Sequence, residues 1–209
     1  MSHPRPTLQA ARGSVAHDLP ADIGSVCAVA LVEGPSDAAA VHALARRQGR
    51  DLLADGVAVV AIGGATNIGH HLEALTGMHP DLRLSGLCDA DEVRAFRRAI
   101  ERAGLCADPT RAQMADLGFF VCDADLEDEL IRALGADVVL EVFDRNRKLD
   151  KFRLYQRQPA HREELLAEQL RGFVTNWKVS YAQLFVEALD LNLVPPPLAG
   201  LLEHLTTDR

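Results

Sequence analysis

The chain has 209 residues, is 48% hydrophobic and 25% charged, and carries a formal charge of −8. Such a length and balance suit one globular domain with a small appendage. The acidic excess excludes a protein that holds nucleic acid by bulk positive charge, because that binding relies on Lys and Arg neutralising phosphates. It does not exclude an enzyme acting on nucleic acid, since a carboxylate cluster that binds divalent cations adds negative charge which the metals offset. Cys27, Cys88, Cys106 and Cys122 show no CxxC spacing, and three of them sit in apolar, strand-like runs. They read as buried thiols in a reducing cytoplasm, not as zinc ligands or a disulfide framework. No apolar run approaches the roughly 20 residues of a membrane span and the N-terminus lacks a signal core, so a cytoplasmic protein with no membrane partner is expected.

Residues 1–22 contain Pro4, Pro6, Gly13 and Pro20 without sustained periodicity, which reads as a flexible tail. Val26 to Val32 is a continuous apolar run, the mark of a strand buried on both faces, and it ends at Glu33. Gly34 and Pro35 lead into a helical pattern from Asp37 to Arg47. Pro35 suits the first turn, where its missing N–H is harmless, and Asp37 suits the positive end of the helix. A second run, Val57 to Ile62, leads through Gly63-Gly64-Ala65-Thr66-Asn67 into a helix reaching Leu75. A third, Leu82 to Cys88, delivers Asp89-Ala90-Asp91-Glu92 and a helix from Val93 to Ala103. A fourth, Gly118 to Cys122, ends in Asp123-Ala124-Asp125-Leu126-Glu127-Asp128-Glu129 and a helix through Leu134.

Apolar runs alternating with helices in units of roughly 30 residues predict an α/β domain over residues 23–136. Its parallel sheet of about four strands is built from right-handed crossovers and flanked by helices. Residues 137–209 form a helical C-terminal extension packed on the same domain. In a parallel sheet the segments after the strands gather at one edge, where ligands bind. Glu33, Gly63-Gly64, Asp89/Asp91 and the acidic 123–129 segment therefore converge. Carboxylates gathered from three strands repel unless cations or protons compensate, and oxygen donors of this kind suit Mg²⁺ or Mn²⁺.

Several positions carry two readings. Asp37, Asp91 and Glu92 serve either the site or the macrodipole of a first helical turn. Cys122-Asp123-Ala124-Asp125 duplicates Cys88-Asp89-Ala90-Asp91, so either is a candidate metal pair. Gly63-Gly64 reads as a turn and cap or as a phosphate cradle; no GK[ST] follows, so it is not a P-loop. His70 and His71 lie on a helix surface where adjacent residues face apart, and neither they nor His79 are expected ligands. Residues 141–162 are rich in Arg and Lys with Phe152 and Tyr155 interleaved. They read as a solvated helix face or as a DNA-backbone contact through Arg145, Arg147, Lys148 and Lys151. Trp177 to Leu189 has helical apolar spacing, and Pro195-Pro196-Pro197 breaks the chain before a short terminal helix.

Glu33-Gly34 after one strand, with Asp89-Ala90-Asp91 two strands later, resembles the Toprim domain of topoisomerases, primases and several nucleases. Three further stretches resemble the Toprim half of the overcoming-lysogenization-defect (OLD) family nucleases: Val32-Glu33-Gly34-Pro35-Ser36-Asp37, Asp125-Leu126-Glu127-Asp128 and Asn176-Trp177-Lys178-Val179. The resemblance implies a Toprim/Rossmann-like fold and a metal-dependent endonuclease that cleaves DNA with two metal ions. Carried over by position, Glu33 and Asp37, with Glu127 and Asp125, hold one ion and Asp89 with Asp91 the other. Glu33 and Lys178 are then the catalytic residues, Lys178 facing the charge that develops on the phosphate. OLD nucleases join this part to an ATPase. No Walker A lysine stands in the sequence, which leaves a nuclease acting alone, a separate ATPase partner, or a reduced form. The alternatives are a Toprim ribonuclease acting on structured RNA, a non-catalytic Toprim scaffold or regulator in DNA repair or phage defence, and a phosphatase or receiver-like protein.

Overall fold

The computed structural model describes residues 26–78, 81–175 and 178–207, side chains at 78 and 178–180 excepted. The expected tail, His79, Asn176 and Trp177 lie outside the described residues. Each apolar run forms a strand: β1 (Ala28–Val32), β2 (Val57–Ala61), β3 (Arg83–Cys88) and β4 (Phe119–Val121). They form one parallel sheet in the order β2-β1-β3-β4. The α/β architecture expected from the alternation is thus the one observed. Between the strands run α1 (Pro35–Arg47), α2 (Ile68–Met78), α3 (Val93–Arg102) and a short α4 (Arg111–Asp116). The sequence reading carries no α4. Its start is a capping box in which the Thr110 hydroxyl accepts the Gln113 N–H and the Gln113 side chain accepts the Thr110 N–H.

The strand order fixes where chemistry can occur. The chain leaves β1 toward β2 on one side, crosses back over β1, and continues outward through β3 and β4. Neighbours β1 and β3 therefore send their following segments in opposite directions, opening the crevice in which α/β sheets bind ligands. Glu33 follows β1 and Asp89 follows β3, so these two carboxylates flank that crevice.

The sheet's faces bury alternate residues. Val29 and Leu31 pack with α2, α3 and α4, while Ala28, Ala30 and Val32 pack with α1 and the later helices. Those helices are α5 (Leu126–Leu134), α6 (Ala136–Arg145), α7 (Leu149–Gln156), α8 (Leu166–Thr175), α9 (Lys178–Ala188) and α10 (Pro196–Thr206). Phe143 anchors their core, with ring centroids 5.3 Å from Phe152, 5.1 Å from Phe173 and 5.2 Å from Tyr181. Two arginines, one ending α1 and one opening β3, tie this part to the α/β domain. Arg47 donates to the carbonyls of Val186 and Leu189 at the end of α9, and Arg83 donates to those of His204, Leu205 and Thr207 at the end of α10. A cation there also complements the negative helix end. Pro196 opens α10 rather than preceding it, in keeping with proline's fit to the first turn. Among the described residues no helix is long and apolar enough to cross a membrane.

Gly86 sits where β1, β3 and β4 press closest. A Cβ there would lie 2.9 Å from Phe119 Cδ1 and 3.1 Å from both the Leu31 carbonyl and Phe96 Cε1. Gly86→Ala is expected to destabilise by about 1–3 kcal/mol through overpacking, lowering Tm by roughly 2–10 °C. Thermal denaturation followed by circular dichroism checks this, and an unchanged Tm contradicts it.

Candidate metal centre at the carboxyl edge of the sheet

Glu33 is held by the turn behind it. Gly63 and Gly64 take φ of 71° and 111°, a region closed to most side chains. The Gly64 N–H donates to the Glu33 carbonyl at 3.1 Å, and the Asn67 amide donates to the Ile62 carbonyl at 2.9 Å. These bonds give Gly63-Gly64 the turn role and fix the end of β1 against β2. The Glu33 side chain reaches toward β3, where its Oε1 accepts the Asp89 N–H at 3.3 Å.

Around this pair stand three more carboxylates. Asp37, in the first turn of α1, accepts the Gly34 N–H at 2.9 Å. Ser36, buried beside it, donates to Oε1 of Glu127 at 2.6 Å. Glu127 itself is buried in the first turn of α5, 5% exposed. Asp125 is the N-cap of α5: its Oδ1 accepts the Asp128 N–H at 2.8 Å, and its Oδ2 accepts from Nε and Nη2 of Arg171 at 3.1 and 2.8 Å.

The consequence is electrostatic. Burial, followed by the negative charges of Glu33, Asp37, Asp125 and Glu127, pushes the Asp89 carboxyl up to about 7 from the usual carboxylate range. Burial is also the first reason that the thiols of Cys88 and Cys122 are held far above their ordinary range. They remain protonated and are poor ligands. An oxygen-rich, negatively frustrated donor set is what hard divalent cations accept and zinc-type sulfur chemistry does not. Among the described residues no three His, Cys, Asp or Glu side chains meet as a finished cage. Mg²⁺ tolerates that, because it commonly keeps several waters and takes one or two carboxylates plus substrate phosphates.

The duplicated motifs separate cleanly. The Ala90 N–H donates to the Ala124 carbonyl and the Cys122 N–H to the Cys88 carbonyl, both at 2.9 Å, setting the two segments side by side. Asp89 from the first and Asp125 from the second enter the acidic group. Asp123 instead pairs with Arg111 at 2.9 Å and Arg132 at 3.7 Å, and Arg132 also meets Glu129 at 3.0 Å. Asp91 is exposed in the 3-10 turn Ala90–Glu92. Lys178 opens α9, with its side chain outside the described residues.

Sequence reasoning gave no role to Ser36 or Arg171. Ser36 lay within a quoted motif, and its place after Pro35 at a helix start was the available signal. Arg171 is a lone cation in α8, and nothing local marks it as reaching Asp125.

Three expectations need correction. His71 is 5% exposed, not on the helix surface; its neighbour His70 is exposed, so the two do face apart. Cys27 is exposed just before β1 and Cys106 half-buried in the loop after α3, leaving Cys88 and Cys122 as the buried thiols. Phe152 and Tyr155 are not interleaved nucleic-acid contacts: Phe152 is buried against Phe143 and Phe173, and Tyr155 stacks on His161 at 3.9 Å. Some of the basic side chains around them have local acidic company. Arg145 pairs with Glu141 at 2.9 Å and Arg153 approaches Asp150 at 3.8 Å, Arg147 is exposed just beyond α6, and Lys148 and Lys151 flank the start of α7.

Residues 27–91 match the model of the family described as overcoming lysogenization defect protein-like, TOPRIM domain. The chain resembles the Toprim part of OLD proteins. Solved structures agree on the Toprim-type α/β fold. The C-terminal region of the Xanthomonas campestris pv. campestris OLD protein superposes with a TM-score of 0.66 at 22% identity, over 87% of this chain and 95% of that one. The C-terminal region of the Burkholderia pseudomallei OLD protein gives 0.65 at 19% identity, over 86% and 96%. No curated protein matches the chain in sequence. The Toprim match covers β1 through Asp91, and therefore contains Glu33, Asp37 and Asp89 but neither Asp125 nor Glu127.

Proposed function

We propose that this chain is a divalent-metal-dependent nuclease that hydrolyses DNA phosphodiester bonds. The observation that carries the reading is the placement of Glu33 and Asp89 on either side of the sheet's switch point, where burial first and the surrounding carboxylates second raise Asp89 to about 7. Glu33, Asp37, Glu127 and Asp125 would hold one Mg²⁺ or Mn²⁺, and Asp89 with Asp91 a second. When bound, such ions supply an attacking water of lowered pKa and neutralise charge at the leaving oxygen. The chain's own part is orientation. Ser36 fixes one oxygen of Glu127, Arg171 and the Asp128 N–H fix Asp125, and the Asp89 N–H fixes Glu33. Lys178 is assigned the positive charge that faces the phosphate as negative charge develops. A separate ATPase is the partner that the likeness to OLD proteins suggests.

A second reading rests on Arg171. Its guanidinium already gives Asp125 a permanent counter-ion, which suits a non-catalytic Toprim module that needs no metal. Supercoiled plasmid and a structured RNA, each incubated with Mg²⁺, Mn²⁺ or chelator, separate the readings. Nicked or linear plasmid is expected with metal and none with chelator. Plasmid left intact in every metal condition, with and without an ATPase partner, supports the non-catalytic module. Cutting confined to the RNA moves the substrate to RNA.

A further inference from the structure

Helix α3 leaves the candidate centre directly, beginning one residue after the 3-10 turn that follows Asp89. Its sequence, Val-Arg-Ala-Phe-Arg-Arg-Ala-Ile-Glu-Arg, buries Phe96, Ala99 and Ile100 and turns arginines outward. Arg94, Arg97 and Arg98, with Glu101 and Asp108, line a polar recess of about 220 Å³. Arg97 is fixed there by Asp108 at 2.5 Å, from a loop residue with φ of 44°. Its Nε is buried without a hydrogen-bond partner among the described residues. Among those residues neither Arg94 nor Arg98 has a carboxylate within ion-pair distance, whereas Arg102 meets Glu73 at 3.5 Å and Arg145 is paired on its own helix. In an acidic chain, three guanidiniums face two carboxylates in this recess, along the helix that begins at the sheet's carboxyl edge.

Resting on the nuclease reading above, we infer that α3 is the DNA-docking surface: Arg94, Arg97 and Arg98 bind the sugar-phosphate backbone of the strand whose reacting phosphate lies at Asp89. The dimensions fit. At 1.5 Å rise per residue, Arg94 and Arg98 stand roughly 8–14 Å along the chain's path from Asp89, and one DNA strand carries a charge about every 3.4 Å of axis, so about two to four phosphates span that distance. Arg94 and Arg98, four residues apart, share one helix face. Guanidiniums suit the task because each presents a planar fork of donors to phosphate oxygens. The contacts position the strand without reading its sequence. The arginines also answer the charge problem of the site, since a polyanion approaching five carboxylates needs positive guidance along the way.

The test measures binding apart from cutting. Fluorescence anisotropy of a labelled DNA duplex is recorded with the full chain in Ca²⁺, across a salt series, beside a labelled RNA duplex of the same length. Arg94→Ala with Arg98→Ala is expected to weaken DNA binding at least about tenfold and to flatten the salt dependence by about two phosphate contacts. Arg94→Lys with Arg98→Lys keeps most of the affinity, which separates lost charge from lost fold. Arg46→Ala with Arg50→Ala, the same change in net charge at the far end of α1 and in the turn after it, leaves affinity within twofold. The inference is overturned if the α3 pair also stays within twofold, if Arg145→Ala with Arg147→Ala costs more than the α3 pair, or if the RNA binds more tightly than the DNA. Docking through α3 without cutting in Mg²⁺ or Mn²⁺, with and without an ATPase partner, removes the nuclease reading and leaves the surface; cutting that ignores the α3 arginines does the reverse.

Discussion

Asp89→Asn is expected to reduce metal-dependent DNA cleavage by at least about 10²–10³-fold, the scale on which a single electrostatic group at a reacting centre is felt. Glu33→Ala should lose as much, because Glu33 lies across the crevice and shares a hydrogen bond with the Asp89 backbone. The comparison with Asp91→Asn gives the experiment its resolution. Asp91 is exposed in its turn, so water can replace it as a ligand of the second ion, while Asp89 is part-buried among like charges; Asp91→Asn should therefore retain more activity than Asp89→Asn. Ser36→Ala belongs between them, at roughly 10–100-fold, since groups that orient a ligand carry about that weight. Initial rates on plasmid at saturating Mg²⁺ or Mn²⁺ measure all four. Equal activity of Asp89→Asn and the native chain would remove the centre from this edge of the sheet.

The fold was largely legible in the sequence because the strands are buried on both faces: Ala28–Val32 and Val57–Ala61 read as uninterrupted apolar runs, and Arg83–Cys88, broken by Arg83, Ser85 and Gly86, is marked by its apolar end before Asp89. The convergence of Glu33 and Asp89 was legible for the same reason, since parallel strands place their ends together whatever lies between. Strand order was not. The position of β1 between β2 and β3, which makes Glu33 and Asp89 neighbours across a switch point, depends on crossovers that periodicity does not encode. The duplicated Cys-Asp-Ala-Asp could not be resolved for a related reason: a carboxylate's direction depends on what approaches it, and Asp123 is drawn away by Arg111 and Arg132, two residues on different helices. Arg171 escaped notice because a cation reaching Asp125 across 46 positions leaves no local pattern. The basic stretch at 141–162 has two readings in the sequence, a solvated face or a DNA-backbone contact, because composition does not show which cations have acidic neighbours: Arg145 pairs with Glu141 and Arg153 approaches Asp150, while its buried aromatic Phe152 belongs to the Phe143 core.

The repulsion within the centre makes a second strong prediction, on stability. In the unfolded chain the Asp89 carboxyl has its ordinary value near 3.8; folding raises it to about 7. Between those values the folded chain holds the proton more tightly than the unfolded one. This group's contribution therefore favours folding in acid, declines as pH rises from about 4 to about 7, and stays low above that. Asp89→Asn removes the titration and the repelled charge together. In chelator at pH 8 the variant should exceed the native chain by about 1–2 kcal/mol after allowance for solvent screening, or roughly 2–8 °C in Tm. The difference should vanish toward pH 4. Mg²⁺ or Mn²⁺ should raise the native Tm at pH 8 and leave the variant less affected, because the ions favour the charged carboxylates and their binding releases protons below pH 7. Differential scanning fluorimetry across pH, with chelator and with metal, measures each arm. A variant less stable than the native chain at pH 8 in chelator would mean that Asp89 is held by contacts that outweigh its neighbours' charge. A more stable variant that no longer cuts DNA is the signature of a residue kept for function against the stability of the fold.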